Sequence, residues 1–423
     1  MSRTEAMMRR GHWVGAIACL ATACASERGT LPVAVAFRDS AGIRIAENPA
    51  PDERLPRWDI PDSALLDIGG AEEGPAALAR ITTAYWDGSG RIVVADNGAG
   101  EIRRFDPEGD SVDAFGGRGE GPGEFRFIAR VWGVGDSTWA YDPILRRISV
   151  FDAGGQIART ISIAGIGRPY SLEPLEGGRL AMSFLQSDTS GATSGPTVRL
   201  PHTVAIASSD VTRLDTVLVL PGLETYPVLG QEGEASFPAE QFPVFGRSSV
   251  VHAVGGRLYA ATNESFELRE FDAGGAPKRF IRVLVPAQPV RPEDRAEQLE
   301  QSLRAIDEFN AQAPEALREQ WRRIERERRV AAEFPFIGEF LVAPSGEFWV
   351  EEYGWRRAAA RRYLVFDSAG RLVARAEAPL RARPLALRDD AMLAVWRDAD
   401  DIEHLRVYPV RRPGGAPAHQ EKP

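Results

Sequence analysis

The sequence has 423 residues, of which 43% are hydrophobic and 26% charged, and its formal net charge is -9. This composition is typical of globular proteins and leaves room for one large domain or for two or three small ones. No basic domain or stripe accompanies the acidic balance, so a nucleic-acid-binding function is excluded.

The N-terminal segment has the three parts of an export signal. Three arginines before residue 11 are followed by an apolar run over residues 13–23 and by small residues ahead of Cys24. The apolar run is too short to cross a membrane, so the pattern predicts a signal peptide over residues 1–23.

Small residues directly before a cysteine resemble the lipobox of bacterial lipoproteins. The resemblance implies cleavage ahead of Cys24, lipidation of Cys24 and a tether over residues 24–34. The expected location is the cell envelope, at the outer membrane or the periplasmic face, with the lipid as the only membrane contact. Lipidation of Cys19, plain secretion and an uncleaved anchor stay open. Because Cys19 and Cys24 are the only cysteines, we expect no disulfide and no Cys-bound metal in the mature domain.

The glycine-rich segment FGGRGEGPGEF, residues 115–125, marks a repeat and not a phosphate loop. Its glycines do not fit GxGxxG, and no Gly-Lys-Ser or Gly-Lys-Thr follows. A second copy, IGGAEEGPAALAR, begins at Ile68, and its glycines lie 47 residues before their counterparts. Phe-Asp pairs followed by glycine also recur, at Phe105, Phe151, Phe271 and Phe366. A period of roughly 40–50 residues indicates a propeller or another repeat array.

Each repeat contains four short apolar, β-branched or aromatic runs separated by Gly, Asp and Ser turns. Six such units begin near Arg80, Ala129, Arg168, Ser248, Gly338 and Arg383. The last unit has three strands, and the run at residues 65–68 is expected to supply its fourth strand and close the ring. The prediction is an all-β fold, a six-bladed β-propeller of four-stranded antiparallel blades over residues 35–410. An additional hairpin over residues 33–47 has no assigned place, and residues 411–423 are expected to form a disordered tail.

The segments GGRGEGPGEF and RIVVADNGAGEIRRFDPEG, with the recurring Phe-Asp-x-x-Gly, resemble NHL-type six-bladed β-propellers, in particular bacterial lipoproteins of that kind. The resemblance is clear over residues 65–165 and extends more weakly over residues 245–285 and 338–410. Families of this type include sensors, binding scaffolds and a few enzymes, so the fold leaves the function open.

The long insertions fall on one predicted face. If the strands of a blade are lettered A to D outward, the B–C and D–A loops share a face, and the insertions from Gln186, at residues 221–246 and at residues 286–336 all lie in these loops. Such an elaborated face is a usual place for binding.

Residues 286–336 predict a helical hairpin, because apolar residues recur there at helical spacing. These residues are Leu299, Leu303 and Ile306, followed by Leu317, Trp321 and Ile324. The hairpin is either a lid or partner-docking arm, or a packing element that stiffens the propeller.

Two sets of mostly charged residues are predicted at the channel mouth on that face. The residues at the start of the innermost strands are Arg80, Arg130, Arg168, Arg247, Glu339 and Arg383. Those at the end of the second strands are Asp96, Asp142, Asp188, Asn263, Glu352 and Asp398. The arginines either bind an anion, since guanidinium groups match carboxylate, sulfate or phosphate, or pair with nearby carboxylates and join neighbouring blades.

Calcium is the one cofactor alternative, and it follows from a second resemblance. Gluconolactonase-like propellers use a Glu, Asn and Asp set in the channel, and the residues that could form such a set here are Asp96, Asp142, Asn263 and Glu339. His252 lies on a predicted innermost strand. One channel histidine falls short of a zinc site, so packing or hydrogen bonding is its expected role.

Two aromatic residues in the B–C loop EEYGWRRAAARRY, Tyr353 and Trp355, are candidates for stacking on a sugar or peptide. The alternative for Trp355 is an arginine stacked on its ring that holds the loop in place.

The sequence therefore predicts a lipid-anchored binding module for an anionic small molecule, glycan or peptide. The candidate ligand-binding residues are Arg80, Arg130, Arg168, Arg247, Arg383, Glu339, Tyr353 and Trp355. One alternative is an interaction scaffold that docks another envelope protein through the helical insertion, and another is a divalent-metal-dependent hydrolase, lactonase or lyase. We expect a monomer without a nucleic-acid partner, and no catalytic residue is identified.

Overall fold

The computed structural model describes residues 35–70, 74, 76–188, 190–232, 235–354 and 360–413. The predicted signal peptide, the tether with Cys24, Trp355 and the last ten residues of the predicted tail lie outside these ranges. Within them the chain is mostly β, with two α-helices, as the sequence predicts.

The strands are numbered in chain order: β1 (Ala36–Ser40), β2 (Ile43–Pro49), β3 (Arg57–Asp59), β4 (Leu66–Gly69), β5 (Ile81–Trp86), β6 (Ile92–Asp96), β7 (Glu101–Phe105), β8 (Ser111–Gly116), β9 (Arg130–Val134), β10 (Ser137–Asp142), β11 (Arg147–Phe151), β12 (Ile157–Ser162), β13 (Ser171–Pro174), β14 (Leu180–Leu185), β15 (Val198–Ala207), β16 (Leu214–Glu232), β17 (Ala235–Gln241), β18 (Val250–Val254), β19 (Arg257–Ala261), β20 (Glu267–Asp272), β21 (Pro277–Leu284), β22 (Ile337–Val342), β23 (Phe348–Glu352), β24 (Ala360–Phe366), β25 (Leu372–Pro379), β26 (Ala382–Leu387), β27 (Ala391–Arg397) and β28 (Glu403–Pro409). The helices are α1 (Pro292–Phe309) and α2 (Glu315–Glu327).

In the described residues the strands form six sheets, which we number in chain order and give from the first strand outward. Sheet 1 is β5-β6-β7-β8, sheet 2 is β9-β10-β11-β12, sheet 3 is β13-β14-β15-β16-β17, sheet 4 is β18-β19-β20-β21-β2-β1, sheet 5 is β22-β23-β24-β25-β3, and sheet 6 is β26-β27-β28-β4. Consecutive strands pair antiparallel, whereas β2 and β3 add in parallel to β21 and β25. This layout fits a β-propeller.

The hydrophobic core is divided among the spaces between successive sheets. The described residues form six clusters of buried apolar side chains, and five of them draw their members from two sheets that follow one another in the chain. The remaining cluster joins the two chain ends, because Ile68 of β4 and Leu405 of β28 pack with Ile81 and Val94 of sheet 1. The core therefore runs from sheet 1 through sheet 6 and back to sheet 1.

The N-terminal strands are the outermost strands of sheets formed much later in the chain. Strand β4 pairs antiparallel with β28, with Ile68 opposite Leu405. The β1–β2 hairpin, for which the sequence gives no place, extends sheet 4 through the parallel pairing of β2 with β21. Asp67 on β4 accepts hydrogen bonds from His404 (2.8 Å) and Arg406 (2.9 Å).

The recurring Phe-Asp pair has a structural cause. Each phenylalanine is buried at or one residue before the end of a third strand, and the following aspartate accepts backbone N–H bonds across the turn to the fourth strand. At Asp152 the donors are the N–H groups of Gly154 and Gln156, both at 2.9 Å. Equivalent bonds are made by Asp106, Asp272 and Asp367. These turns set the register in which each fourth strand pairs with the third strand.

The glycine-rich segment is the crossing from sheet 1 to sheet 2. Its chain folds back on itself, since the Phe125 N–H donates to the carbonyl of Gly117 at 2.7 Å. Gly119 has φ +154°, and a Cβ there would lie 2.0 Å from the carboxylate of Glu124, so only glycine fits. Phe125 is buried in the cluster between sheets 1 and 2, where it packs on Phe151.

Two predictions about irregular segments are wrong for the described residues. Residues 221–246 do not form a loop, because β16 runs on to Glu232 and pairs with β17. The start of the predicted disordered tail is held in place, since Arg411 forms a β-bridge with Asp59 and Arg412 makes a two-point ion pair with Glu347 (2.9 Å for both contacts).

The helical insertion is present, but its predicted apolar residues are half-buried or exposed and none is fully buried. Leu317 and Ile324 are each 37% exposed, whereas Asp294, Gln298 and Glu325 are buried. Gln298 donates to Glu325 at 3.0 Å, which joins α1 to α2. Neither helix is long and apolar enough to cross a membrane, as far as the described residues are concerned.

Two buried asparagines tie the end of a second strand to the entry of the next sheet. Asn97 donates to the Ile128 carbonyl (3.0 Å) and accepts from the Ile128 N–H (2.7 Å). Asn263 makes the same two bonds with Ile337 (3.0 and 2.8 Å) and also donates to the Ser248 carbonyl (3.1 Å). Its φ of +63° is one that asparagine tolerates better than most residues.

We predict that Asn263→Ala lowers the free energy of unfolding by about 3 kcal/mol, because it leaves buried backbone groups without partners and puts alanine at a positive φ. Denaturant unfolding of the purified protein measures this change. Asn310→Ala, a change of the same side chain at the end of α1, is the control and should alter stability by less than about 0.5 kcal/mol. Equal stability of the two variants would contradict the role given to Asn263.

Candidate functional site

The first strand of each sheet is an edge strand, and polar contacts join these edges from one sheet to the next. Arg383 on β26 donates to the Ile81 carbonyl on β5 at 2.8 Å. The Val131 N–H on β9 donates to Thr83 Oγ1 on β5 at 2.9 Å. Sheets 6, 1 and 2 are therefore connected along their inner edges.

Four side chains continue this connection across sheets 2 to 5, and we call them the inner-edge chain: Arg130, Glu173, His252 and Glu339. The two Nη atoms of Arg130 on β9 contact the two carboxylate oxygens of Glu173 on β13, at 2.7 and 2.9 Å. Nδ1 of His252 on β18 lies 3.3 Å from Glu173, and Nε2 lies 2.7 Å from Glu339 on β22. One imidazole thus joins two carboxylates from different sheets.

Burial differs along the inner-edge chain. The Glu173 side chain is 5% exposed, that of His252 is 26% exposed, and that of Glu339 is 53% exposed. The Arg130 side chain is 34% exposed, so Glu173 is the most buried member of the inner-edge chain and Glu339 is the most exposed.

The two carboxylates control the protonation of His252. Burial by itself lowers the pKa of His252, but Glu173 and Glu339 outweigh burial and raise this pKa to about 10. Burial likewise raises the pKa of Glu173, whereas Arg130 and His252 hold it below the usual range. At neutral pH the inner-edge chain therefore alternates positive and negative groups and carries no net charge.

Of the predicted arginine ring, three members are engaged within the protein. Arg130 pairs with Glu173, Arg247 contacts Glu333 at 2.8 Å, and Arg383 donates to backbone carbonyls of β5. Of the two roles predicted for the arginines, Arg130 and Arg383 have the structural one, because each joins two neighbouring sheets. Their partners are not the predicted aspartates at the ends of the second strands.

The other two arginines of the predicted ring, Arg80 and Arg168, are exposed. Neither makes a side-chain hydrogen bond or ion pair with another described residue. They precede the first strands of sheets 1 and 3 and have no contact with the inner-edge chain.

The predicted oxygen-ligand set is used for backbone hydrogen bonds. Asp142 accepts from four N–H groups of its own turn and of the preceding crossing, at 2.8 to 3.1 Å. Asp96 accepts from the N–H groups of Gly98 and Ala79. Asn263 is bonded to Ile337. No group of three or more His, Cys, Asp or Glu side chains among the described residues is arranged to hold a metal.

Tyr353 lies in a cleft of about 340 Å3 at the loop between β23 and β24, which we call the aromatic cleft. Its lining includes Phe334, Tyr353, Gln288, Glu351, Arg361 and Arg362. The rings of Phe334 and Tyr353 have centroids 6.0 Å apart at 35°. The Tyr353 hydroxyl has no hydrogen-bond partner among the described residues. Trp355, the second aromatic residue predicted here, lies outside them.

Charged groups at the floor of the aromatic cleft are paired. Arg361 contacts Glu351 at 2.8 Å. Burial raises the pKa of Glu351, and the Arg361 guanidinium opposes that effect. Arg362 is 63% exposed, with its nearest carboxylate, Glu377, at 3.8 Å. Two guanidinium groups and two carboxylates line the cleft, so it has no excess of positive charge.

Sequence reasoning missed Glu173, Phe334 and Arg361. A usable signal existed for Glu173, because it is the one ionisable residue in the short first strand SLEP. No pattern marked Phe334, since it reaches the aromatic cleft from the far end of the helical insertion.

No family model matches the sequence, and no curated protein matches it. Among solved structures the chain is similar to a Bacteroides fragilis protein described as exported, at 10% identity and TM-score 0.47 over 84% of this chain and 99% of that chain. It is also similar to the calcium-binding protein regucalcin from Agrobacterium tumefaciens, at 9% identity and TM-score 0.40 over 84% of this chain and 97% of that one.

A further similar structure is virginiamycin B lyase from Staphylococcus aureus, at 10% identity and TM-score 0.38 over 81% of this chain and 97% of that chain. At these identities and TM-scores, the likenesses support no statement about what the chain binds or catalyses.

We predict that His252→Gln lowers the free energy of unfolding at pH 7 by about 3 kcal/mol, because it removes the cation that lies between the carboxylates of Glu173 and Glu339. The folded-state pKa of about 10 exceeds the unfolded value of 6.5. The stabilisation is therefore complete below pH 6.5 and is lost as the pH rises through 10.

Denaturant unfolding at pH 6, 8 and 10 tests the direction of this pH dependence. The difference in stability between the native protein and His252→Gln should narrow steadily from pH 6 to pH 10. A difference that stays constant, or widens with pH, would show that His252 is not held as a cation.

Proposed function

We propose that this protein is an exported β-propeller that binds a glycan in the aromatic cleft. The proposal rests on the pair of neighbouring aromatic rings, Phe334 and Tyr353, in a cleft of about 340 Å3, where the Tyr353 hydroxyl has no hydrogen-bond partner among the described residues.

The chemistry of the aromatic cleft suits a sugar ring. The C–H face of a pyranose packs on aromatic rings, and its hydroxyl groups bond to carboxylate, amide and guanidinium groups. Gln288, Glu351 and Arg361 supply those groups around the rings. The two guanidinium groups and the two carboxylates of the aromatic cleft balance in charge, so we propose a glycan without net charge. This ligand replaces the anionic ligand that the arginine ring predicts.

The architecture we propose is a ring of six blades of the NHL type, one for each sheet. The shared core cluster between sheets 6 and 1, and the pairing of β4 with β28, support a closed ring. We also propose export and lipidation at Cys24, which rest on the sequence of the first 24 residues alone.

Catalysis is a second candidate function, favoured by the inner-edge chain. A histidine whose pKa is strongly perturbed by two carboxylates, one of them open to solvent, is an arrangement found at catalytic sites. In this alternative Glu339 and His252 exchange a proton with a bound substrate, as in a hydrolase or lyase. The charge-balanced geometry also suits a purely structural role.

An interaction scaffold is the third candidate, and the helical insertion favours it. Leu317 and Ile324 on α2 are each 37% exposed, so part of the predicted apolar stripe is accessible to solvent. In this alternative another envelope protein covers that stripe.

We predict that the native protein binds a subset of neutral oligosaccharides on a glycan array and that Tyr353→Ala weakens this binding tenfold or more. An aromatic platform contributes roughly 1–2 kcal/mol to a stacked ligand, and the lost hydroxyl adds to the effect. Isothermal titration with the best oligosaccharide gives the affinity.

Tyr170→Ala is the matched control, because Tyr170 is 63% exposed and lies on sheet 3 away from the cleft. Unchanged binding by this variant, with loss in Tyr353→Ala, supports the proposal. Absence of any oligosaccharide binding, or equal binding by both variants, would contradict it. Conversion of the bound oligosaccharide during incubation would favour the catalytic alternative.

A further inference from the structure

A second cavity, of about 480 Å3, opens between sheets 4 and 5 beside the turns β22–β23 and β24–β25. In antiparallel sheets these turns lie at the end opposite to the β23–β24 loop, so this cavity and the aromatic cleft are on opposite sides of the molecule. The sequence predicts no site on this side, because the turns here are short.

Sheet 4 forms one wall of this cavity. The side chains of that wall make a single row that runs across the strands of the sheet. Tyr259 on β19 is opposite Glu270 on β20, and Glu270 is opposite Arg279 on β21. The row continues from Arg279 to Arg44 on β2, and from Arg44 to Asp39 on β1. All five line the cavity, and we call them the transverse row.

The N-terminal hairpin is what completes the transverse row. Sheet 4 without β1 and β2 would end at Arg279, and the cavity would lack Arg44 and Asp39. Arg44 is exposed and makes no ion pair or side-chain hydrogen bond with another described residue. An arginine without a partner next to a cavity is available for a ligand.

Glu270 orients the two other guanidinium groups. It is 5% exposed and accepts from Arg257 and from Arg279, the latter at 2.8 Å through Nε. Arg279 also stacks over Phe348 of sheet 5, with its guanidinium carbon 5.1 Å from the ring centre. Two guanidinium groups share this one carboxylate, so positive charge is left in excess.

Tyr259 adds a hydrogen-bond donor that nothing in the described residues uses. The residue is 6% exposed, and its ring packs edge-on against Phe348 at 5.3 Å. Its hydroxyl has no hydrogen-bond partner among the described residues, although the side chain lines the cavity. This hydroxyl is therefore available to donate a hydrogen bond to a ligand or to solvent in the cavity.

We propose that this cavity is a binding site for a small oxyanion, a molecule bearing a phosphate or carboxylate group. Arg44 and Arg257 contact the anionic oxygens, Tyr259 donates its hydroxyl proton to one of them, and Glu270 holds the arginines in position. Three guanidinium groups against the carboxylates of Asp39 and Glu270 leave a local positive excess in a protein with net charge -9.

Isothermal titration at pH 7 and constant ionic strength tests the site, with inorganic phosphate and citrate as separate probes. The native protein should bind at least one probe at a single site. Arg44→Gln should weaken that binding tenfold or more, and Tyr259→Phe several-fold, since each removes a donor to a charged group. The stronger probe identifies phosphate or carboxylate as the recognised group.

Two controls separate this site from general charge effects and from the aromatic cleft. Arg213→Gln removes the same charge from the turn between β15 and β16 and should leave the affinity unchanged, as should Tyr353→Ala. Tyr259→Phe keeps the ring packing, so its loss of affinity cannot be ascribed to unfolding. Failure of both probes to bind the native protein would overturn the proposal, and so would equal affinities in the native protein and Arg44→Gln.

Discussion

The pairing of β4 with β28 is the interaction on which the other features of this structure depend. Without it sheet 6 would end in the unpaired edge of β28, and the apolar faces of sheets 6 and 1 would lose Ile68, which packs between them. An unpaired apolar edge invites association with other chains. The chain avoids this by placing a strand from near its N-terminus beside its last strand.

Both candidate sites depend on the fixed positions at which neighbouring sheets pack against each other. The aromatic cleft combines Tyr353 from the β23–β24 loop with Phe334, which comes from the end of the helical insertion. The transverse row combines sheet 4 with a hairpin more than 200 residues earlier in the chain. The inner-edge chain draws one residue from each of four sheets. None of these groups exists unless the sheets stack in order.

The repeat could be predicted from the sequence because it is local. Phe-Asp turns, the glycine-rich crossing and the alternation of apolar runs with turns are all set by contacts within a few residues. The position of the N-terminal hairpin could not be predicted, since the parallel pairing of β2 with β21 leaves no turn or spacing signal. A loop is predicted over residues 221–246 because the glycines and prolines there are typical of loops, although β16 and β17 form a long hairpin in this segment.

The charged residues were harder to predict than the fold. Arginines at the starts of inner strands could be found, but the partner of Arg130 is Glu173 on the next sheet and not the nearby Asp142. Asp142 instead binds backbone N–H groups, which no spacing rule distinguishes from ligand binding. The transverse row was missed because its members are far apart in sequence and are aligned only by strand register.

A designed disulfide between β4 and β28 is a direct test of their pairing. Asp67 and Arg406 are cross-strand partners, and antiparallel partners have Cα atoms about 4.5–5.5 Å apart, within disulfide range. The experiment uses Asp67→Cys with Arg406→Cys in a chain whose native Cys19 and Cys24 are replaced by serine. We predict one intramolecular disulfide in the oxidised monomer, with no free thiol and faster migration on a non-reducing gel. Two free thiols in the folded monomer, or cross-links between chains alone, would contradict it.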